Sequence, residues 1–405
     1  MTHPEYRHLL DVAQIGLGLY IHIPWCVKKC PYCDFNSHAL PDNAPFEAYV
    51  EALIADAKAQ AAFVGGRYIS SIFIGGGTPS LLPVAQLERL FNALFKSLPI
   101  AENCEITLEA NPATLERAPF EAYLALGINR LSIGVQSFDD KALLALDRVH
   151  DSTQASEAIY QARQAGFDRV NVDIMHGLPN QTAVQAYQDI ERALQLGATH
   201  LSWYQLTIEP NTAFYRAPPD LPNEDTLAEI EAVGRALLME RGFENYEVSA
   251  WVGADDVPCQ HNLNYWRFGD YLAIGAGAHG KLTLADKPSC ELLKALGFDK
   301  KGVYRYAKTR LPKDYLAYQN YPKFVQTERI SEEALVGEFM MNALRLRQGV
   351  SVREFEIATG ILVSAIDNEL IPLQHQGLMV ADAGRIAPTA LGFSYVNHLV
   401  QAFLK

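Results

Sequence analysis

The sequence predicts an α/β protein: a parallel (β/α) barrel, partial or full, followed by a smaller C-terminal α+β domain of winged-helix-like shape. Two observations predict it. Over residues 18–249, short β-branched runs alternate with stretches of helical period, which is typical of parallel strands covered by helices. From Ile330 onward, helical stretches lead into a small hairpin pattern. The repeated β–α units favour a barrel over an open sheet, and periodicity alone leaves its closure open.

The predicted strands of the first region are short runs rich in β-branched and aromatic residues. They span residues 18–23, 68–74, 105–110, 130–135, 169–175, 200–207 and 246–249. Between them, apolar residues recur on one helical face in three stretches, 49–57, 87–98 and 158–165. Strands that alternate with such helices are expected to lie parallel, with the helices outside the sheet.

Three regions follow from this pattern. Residues 1–250 are the predicted barrel domain, 251–329 a connecting region with a Gly-rich run, and 330–405 the C-terminal domain. In the last domain Ser351 and Glu354 predict a capping box. Gly377 is expected to end a helix, and 378–380 and 385–387 to form the hairpin. Residues 331–405 hold five Lys/Arg against eight Asp/Glu, so packing or a lid is expected rather than DNA binding.

Composition excludes several classes of function. A net charge of −13 over 405 residues argues against a nucleic-acid partner. The N-terminal residues do not have the pattern of a secretory signal, and no apolar run approaches the ~20 residues that span a bilayer. Six cysteines, three of them within eight positions, do not resemble a disulfide framework. We therefore expect a cytoplasmic protein in which the cysteine cluster binds metal.

The cysteine cluster is the most specific signal in the chain. Cys26, Cys30 and Cys33 have the spacing C-x3-C-x2-C and follow the first predicted strand. Three thiolates can hold three irons of a [4Fe–4S] cluster and leave the fourth iron open for another ligand. A zinc site usually has four ligands in paired C-x2-C units, and no second pair lies nearby in the sequence. Three free thiols this close together, beside two lysines and a proline, are an improbable structural feature.

Polar residues at strand ends give a second signal. The run Gly75 to Pro79 follows the second strand, and glycines there let the backbone approach a ligand. Acid and amide side chains stand at or near the ends of the next four strands, namely Glu109, Gln136, Asp173 and Gln205. The carboxyl ends of strands in a parallel barrel converge on one mouth, where sites are built. One such residue is usually solvated, but four in register predict a site that faces the cysteines.

These motifs resemble the radical S-adenosylmethionine superfamily, whose barrels have the fold type described above. The resemblance implies that Cys26, Cys30 and Cys33 hold a [4Fe–4S] cluster and that S-adenosylmethionine binds beside it. The glycine loop with Gly76, Gly77 and Thr78 would bind the amino group of the cofactor, and Arg148 its carboxylate. The remaining residues expected around the cofactor are Tyr20, Tyr32, Phe35, Glu109, Gln136 and Asp173.

Within this superfamily the chain is most similar to two related groups, the oxygen-independent coproporphyrinogen III dehydrogenases and the HemW-type haem chaperones. The dehydrogenases carry a fourth cysteine where this chain has Phe35, and a longer N-terminal extension. The motif His-Asn-x-x-Tyr-Trp, which contains His261, Tyr265 and Trp266, matches the chaperones. It implies that His261 is an axial haem ligand and that the aromatic pair flanks the porphyrin. His279 is a second candidate ligand.

The resemblance therefore implies a binding protein rather than an enzyme: a haem chaperone that passes haem to acceptor proteins such as respiratory enzymes. The alternative is a coproporphyrinogen III dehydrogenase that performs radical oxidative decarboxylation of propionate side chains.

One local charge reversal suggests a contact surface. Residues 281–325 hold ten Lys/Arg against four Asp/Glu, interleaved with five tyrosines, namely Tyr304, Tyr306, Tyr315, Tyr318 and Tyr321. We expect this segment, including Lys300, Lys301, Arg305 and Lys308, to contact haem propionates or, peripherally, an anionic membrane. A solvated basic segment without a ligand is the alternative.

Overall fold

A computed structural model describes residues 10–117, 119–317 and 325–404 of the chain. The strands within these residues are β1 Leu17–Ile23, β2 Trp25–Cys26, β3 His38–Ala39, β4 Ile69–Gly76, β5 Ile100–Ala110, β6 Arg130–Gln136, β7 Val170–His176, β8 His200–Gln205, β9 Glu244–Asn245, β10 Ala250–Val252, β11 Asp270–Ile274, β12 His279–Leu284, β13 Gly302–Lys308, β14 Val325–Arg329, β15 Val350–Ser351 and β16 Arg385–Ile386.

The α-helices within the same residues are α1 Phe46–Gln60, α2 Val84–Ser97, α3 Phe120–Ala125, α4 Asp140–Ala145, α5 Ser152–Gln164, α6 Ala183–Gln195, α7 Ala213–Arg216, α8 Glu224–Glu240, α9 Gln260–Trp266, α10 Glu291–Ala295, α11 Pro312–Tyr315, α12 Glu332–Ala343, α13 Val352–Thr359, α14 Asp367–His375, α15 Ala390–Ser394 and α16 Val396–Phe403.

One twelve-stranded sheet organises the molecule, in the order β14-β13-β12-β11-β1-β4-β5-β6-β7-β8-β10-β9. The strands from β11 to β8 in this order run parallel. Antiparallel strands extend the sheet at both edges. The predicted α/β fold with a parallel barrel is confirmed as a partial barrel, because the edge strands β14 and β9 are not neighbours in the sheet.

The core lies between this sheet and its outer helices. Strands β1, β4, β6 and β7 are buried along nearly their whole length. Apolar faces of α1 and α2 pack on the sheet through Leu53 and Leu90, both fully buried. Burial on both faces is what parallel β–α units require, and burying such side chains contributes about 1.5–3 kcal/mol each before entropic costs. The opposite, concave face of the sheet carries the polar residues described below.

One predicted strand of the first region is wrong. Residues 246–249 are not a strand but the connection between β9 and β10. The backbone amide of Val248 donates to the carbonyl of Arg345, and Tyr246 accepts from the amide of Arg347. Because these backbone groups pair with the C-terminal domain, they do not join the ladder of the large sheet. Sequence alternation in so short a run does not reveal which partner strand is used.

The region 251–329 belongs to the same sheet as the barrel strands. Its first strand, β11, pairs in parallel with β1, beginning with Leu17 opposite Asp270. Strands β12 to β14 of the same region continue the sheet beyond β11. The boundary predicted at residue 250 therefore falls inside a continuous sheet.

The C-terminal domain has a core of its own, built around Phe339, Phe355 and Leu399. The capping box of Ser351 and Glu354 is confirmed at the start of α13, and Gly377 follows α14 with a φ of 72°, as a helix stop requires. The hairpin differs in part from the prediction, because Arg385–Ile386 pairs with Val350–Ser351. Residues 378–380 contribute a single bridge, Met379↔Pro388. In the described part of the chain, no helix is long and apolar enough to cross a bilayer.

Candidate functional site

The cysteine loop closes over the end of β1. Its two sides pair as the short parallel strands β2 and β3, so Cys26, Cys30 and Cys33 are held in one compact loop. All three cysteines are half-buried and unpaired. They line one cavity of about 310 Å³ at the mouth of the partial barrel. Burial, above all, raises the pKa of Cys26 and of Cys33, so deprotonation needs a positive partner such as iron.

The glycine loop packs directly against the cysteine loop. The Gly77 amide donates to the carbonyl of Ile23 over 2.8 Å, and the Thr78 amide donates to that of Trp25 over 2.8 Å. A Cβ at Gly77 would lie 2.5 Å from the Trp25 carbonyl oxygen, and Gly76 has a φ of 119°. Only glycine fits this approach without strain. The two loops therefore form one rigid wall of the cavity.

Two half-buried acids, Glu109 and Asp173, form the opposite wall. Glu109 accepts a hydrogen bond from the Gly76 amide over 3.2 Å, while Asp173 accepts from Ser132 and from Asn171 Nδ2. Among the described residues neither carboxylate has an ion-pair partner. Burial, with Asp173 as a nearby negative charge, raises the pKa of Glu109 to about 8. Burial also raises the pKa of Asp173. A cation in this cavity would be stabilised by both acids.

The third side of the cavity holds Arg148. Its Nη2 donates to the Gly134 carbonyl over 2.6 Å, and its Nη1 donates to Cys30 Sγ over 3.5 Å. Its buried Nε has no partner among the described residues. Next to it, the side-chain oxygen Oε1 of Gln136 accepts a hydrogen bond from the Tyr204 hydroxyl over 2.8 Å, and the Gln136 backbone has a φ of 72°. Such a conformation at a strand end costs energy and turns this side chain toward the site.

The structure brings most of the predicted residues together. The cavity that contains the three cysteines is also lined by Tyr32, Phe35, Gly76, Gly77, Thr78, Glu109, Gln136, Arg148 and Asp173. Tyr20 lines the neighbouring cavity instead. Gln205 ends β8 but is exposed and does not line either cavity.

Sequence reasoning missed Ser132, Tyr204 and Asn36, which also line these cavities. Strand alternation could have found Ser132, because it lies two positions before Gly134 and four before Gln136, on the same face of β6. Asn36 leaves no local signal: its Nδ2 donates to the carbonyls of Ala276 and Arg310, which are distant in sequence.

A second, larger cavity of about 1030 Å³ adjoins the first. Both are lined by Phe35, Gly76 and Glu109, so they are contiguous. Phe35, in the position where the dehydrogenases have a fourth cysteine, is 65% exposed at this junction. The other lining residues include Tyr20, His22, Asp34, Asn36, Tyr265, His279, Lys308, Arg310 and Asp314.

The side chains of the His-Asn-x-x-Tyr-Trp motif point in three directions from α9. His261 is 7% exposed and stacks on Phe73, with 4.8 Å between ring centroids. Tyr265 lines the large cavity. Trp266 packs against the core of the C-terminal domain, with the Arg345 guanidinium 4.8 Å from its ring. The structure does not bring the three predicted haem residues to one surface.

Part of the basic, tyrosine-rich segment is internal, which takes several of the residues predicted to form a contact surface away from the surface. Tyr304, Tyr306 and Tyr315 are buried core residues. Lys281 and Lys308 are buried in ion pairs with Asp270 and Asp56, and Arg305 pairs with Glu338. An excess of positive charge along the sequence does not reveal buried acids from other segments. Tyr318 and Tyr321 lie outside the described residues.

Comparisons with known proteins identify the fold and the family. Residues 20–194 match the Radical SAM superfamily and residues 330–395 the HemN C-terminal domain. The Heme chaperone HemW of Haemophilus influenzae is 43% identical over 392 residues, which cover 96% of this chain and 98% of that protein. HemW of Escherichia coli is 42% identical, with the same coverage. The chain belongs to the HemW family.

The HemW relatives extend beyond these two, with Bacillus subtilis HemW 32% identical over 95% of this chain and 98% of that protein. Among solved structures, the Escherichia coli coproporphyrinogen III oxidase HemN, described as a radical SAM enzyme, superposes with a TM-score of 0.78. It is 23% identical and the match covers 98% of this chain and 91% of that one. This likeness shows that this chain and HemN share a fold.

As a member of the radical SAM superfamily, this HemW chain has a [4Fe–4S] cluster and S-adenosylmethionine as cofactors, and its site fits both. Among the described residues, no three metal-binding side chains form a site for a single metal ion. A [4Fe–4S] cluster does not require such a site, because each thiolate binds a different iron. Glu109 and Asp173, without cationic partners, suit the ammonium and sulfonium groups of the second cofactor, and the orphaned Arg148 Nε suits its carboxylate. With both cofactors bound, the chemistry available at this site would be one-electron reductive cleavage of S-adenosylmethionine.

Proposed function

We propose that this HemW chain binds haem in the large cavity and passes it, in the cytoplasm, to acceptor proteins such as respiratory enzymes. The observation that carries the proposal is the cavity of about 1030 Å³ that opens directly beside the S-adenosylmethionine residues. Its size is at the upper end of ligand sites, and aromatic walls with a few polar groups are typical of them. The names of the HemW relatives support the choice of haem as the ligand.

Aromatic side chains form the porphyrin-facing walls in this proposal. Tyr265 stacks on Tyr271 with 4.2 Å between ring centroids, so its orientation is fixed before a ligand arrives. Tyr20, which donates to or accepts from His22 Nδ1 over 2.9 Å, lies on the same cavity. Phe35 contributes a third aromatic surface at the junction with the cofactor cavity. Rigid aromatic groups bury much apolar area at a low entropic cost.

Arg310 is the proposed partner of a haem propionate. It lines the cavity, is exposed, and has no ion pair within the described residues. Asp34 and Asp314 also line the cavity, so the cavity is not uniformly basic, and a carboxylate is expected to be bound at this one guanidinium. Arginine is suited to this because its fork of donors matches a carboxylate.

A peripheral membrane contact remains part of the proposal, restricted to exposed cations of the segment. Lys287, Lys300 and Lys313 are exposed, and each is expected to add about 1 kcal/mol of attraction to an anionic surface. We expect their joint replacement by glutamine to abolish sedimentation with phosphatidylserine vesicles. Equal sedimentation of the variant and the parent chain would exclude the contact.

A transfer assay tests the function. The anaerobically reconstituted chain is loaded with one equivalent of haem, separated from free haem, and mixed with the apo form of a haem-requiring enzyme. Appearance of acceptor activity faster than with the same amount of free haem supports the proposal. In parallel, the chain is incubated with coproporphyrinogen III, S-adenosylmethionine and a reductant. Vinyl-bearing product without haem transfer would instead favour the dehydrogenase function.

A further inference from the structure

We propose that His279, rather than the motif histidine His261, is the axial ligand of the haem iron in the large cavity. This inference rests on the proposed haem-binding function and adds the residue that coordinates the metal. Imidazole is a common ligand of haem iron and needs a ring nitrogen that is free to bind.

Exposure and position favour His279. It is the first residue of β12, its side chain is exposed, and it lines the cavity together with Tyr265 and Arg310. In the antiparallel pair of β12 and β13 its direct neighbour is Ala307. Cross-strand neighbours project from the same face of a sheet, and the small alanine leaves the space beside the imidazole open. Ala307 lines the same cavity.

Hydrogen bonding separates His279 from the other imidazoles near the mouth. Both ring nitrogens of His22 are engaged, with the Tyr20 hydroxyl and with the Asn36 carbonyl, each at 2.9 Å. His38 Nε2 donates to the Arg310 carbonyl over 3.2 Å, and His38 does not line the large cavity. For His279, no hydrogen bond of either ring nitrogen exists among residues 10–117, 119–317 and 325–404.

The position of His261 argues against it as the ligand. Its ring stacks on Phe73, with 4.8 Å between centroids, and on Tyr20, at 6.2 Å, and His261 does not line the large cavity. Glu105 fixes this arrangement, because its Oε1 accepts from the backbone amides of Gln260 and His261 at the start of α9. To reach the cavity, His261 would have to displace the aromatic stack.

The structure therefore divides the two roles. Tyr265, held by α9, forms a wall of the large cavity, while His261 is buried and packs against Phe73 and Tyr20. The motif contributes to haem binding through Tyr265, and the iron ligand comes from the Gly-rich run that precedes and begins β12.

Resonance Raman and EPR spectra of the haem complex test this assignment in the anaerobically reconstituted full-length chain. Three variants are compared with the parent: His279→Ala, His261→Phe and His38→Ala. Phenylalanine at 261 preserves the aromatic stack, so folding is expected to survive, and cluster content and S-adenosylmethionine binding check it. His38→Ala is the matched control for loss of an imidazole near the mouth.

We expect His279→Ala to lose the histidine–iron stretching band, and added imidazole to restore a nitrogen-ligated spectrum. His261→Phe and His38→Ala should keep the parent band. A His279→Ala complex with the parent spectrum, or loss of the band in His261→Phe alone, would overturn the assignment while leaving haem binding intact. If the parent chain itself does not bind haem saturably, the proposed function fails and the assignment with it.

Discussion

At the scale of single residues, the cofactor site is a set of charges that the folded chain leaves without partners. Glu109 and Asp173 are half-buried without an ion-pair partner among the described residues, and Arg148 donates to a cysteine sulfur with its Nε unused. Holding groups in this way costs stability in the empty protein. The cost is offset when a ligand with complementary charges binds, which favours tight binding of a cation and carboxylate on one molecule.

Replacement of Glu109 by glutamine separates these two effects. The pKa of the Glu109 carboxyl rises from its ordinary value of 4.5 to about 8 in the folded chain. The folded chain therefore binds more protons than the unfolded chain, and stability falls as the pH rises through this window. We expect Glu109→Gln to stabilise the cofactor-free chain by at least about 1 kcal/mol at pH 8, with little change at pH 4.5, and to weaken S-adenosylmethionine binding.

Urea unfolding of the cofactor-free chain across this pH range measures the effect, and Glu88→Gln, an exposed acid on α2, is the control. If the unfolding free energies of the parent and of Glu109→Gln depend on pH in the same way, the Glu109 carboxyl does not cause the loss of stability with rising pH.

Arg310 carries the second prediction at this scale. Arg310→Ala is expected to weaken haem binding by about 1–2 kcal/mol, since a charge-assisted hydrogen bond to a propionate is lost. Haem dimethyl ester, which has no propionate charge, should bind the parent and the variant equally. Lys313→Ala, an exposed cation of the same segment that does not line the cavity, is the control. An equal loss with the ester would mean that Arg310 acts through packing.

At the scale of elements, the site depends on how closely two loops approach. Gly77 lies against the Trp25 carbonyl, and its amide binds the Ile23 carbonyl. These contacts hold the glycine loop against the cysteine loop. The residues expected to bind S-adenosylmethionine therefore help to position those that bind the cluster.

Substitution of Gly77 by alanine should separate the loops. A Cβ would meet backbone atoms 2.5 Å away, and backbone cannot move aside cheaply. We expect Gly77→Ala to lower both iron content after reconstitution and S-adenosylmethionine affinity by tenfold or more, about 1.4 kcal/mol. Gly384→Ala, whose Cβ would meet only the Asp382 side chain at 3.4 Å, should leave both unchanged. Normal iron content in Gly77→Ala would contradict this account of the loop.

The elements also show what sequence could predict. Alternation and spacing placed Glu109, Gln136 and Asp173 on one mouth with the cysteines, because these signals are local and follow strand geometry. The connection at 246–249 and the internal position of Lys308 could not be predicted in this way. Each depends on a partner far away in the chain, the segment around Arg345 in one case and Asp56 in the other. The cavity-facing position of His279 likewise depends on the β12–β13 register.

At the scale of the whole molecule, the large sheet joins the cofactor site to the large cavity proposed for haem. Strand β11 pairs with β1 along one edge of that strand. The cysteine loop follows the C-terminal end of β1. The buried pair of Arg67 and Asp270, at 2.8 Å, connects the first region to β11 as well. The residues after 250 are therefore part of the scaffold of the cofactor site.

A chain that ends at residue 250 should not assemble this site. It would lose β11 to β14, leaving β1, most of whose residues are apolar, as an exposed edge, and Arg67 without its buried acid. We expect it to aggregate or to bind no cluster, as judged by iron content and circular dichroism. A chain that ends at residue 329 keeps the whole sheet and should retain more cluster. Full cluster incorporation by the shorter chain would contradict a sheet-wide scaffold.

An anaerobic haem titration of the cluster-loaded chain tests whether the large cavity binds haem beside the S-adenosylmethionine site. The Soret band is followed with and without S-adenosylmethionine. We expect saturation at one haem per chain in both conditions, with an affinity that changes when the neighbouring site is filled. Linear, unsaturable uptake that S-adenosylmethionine does not affect would contradict it.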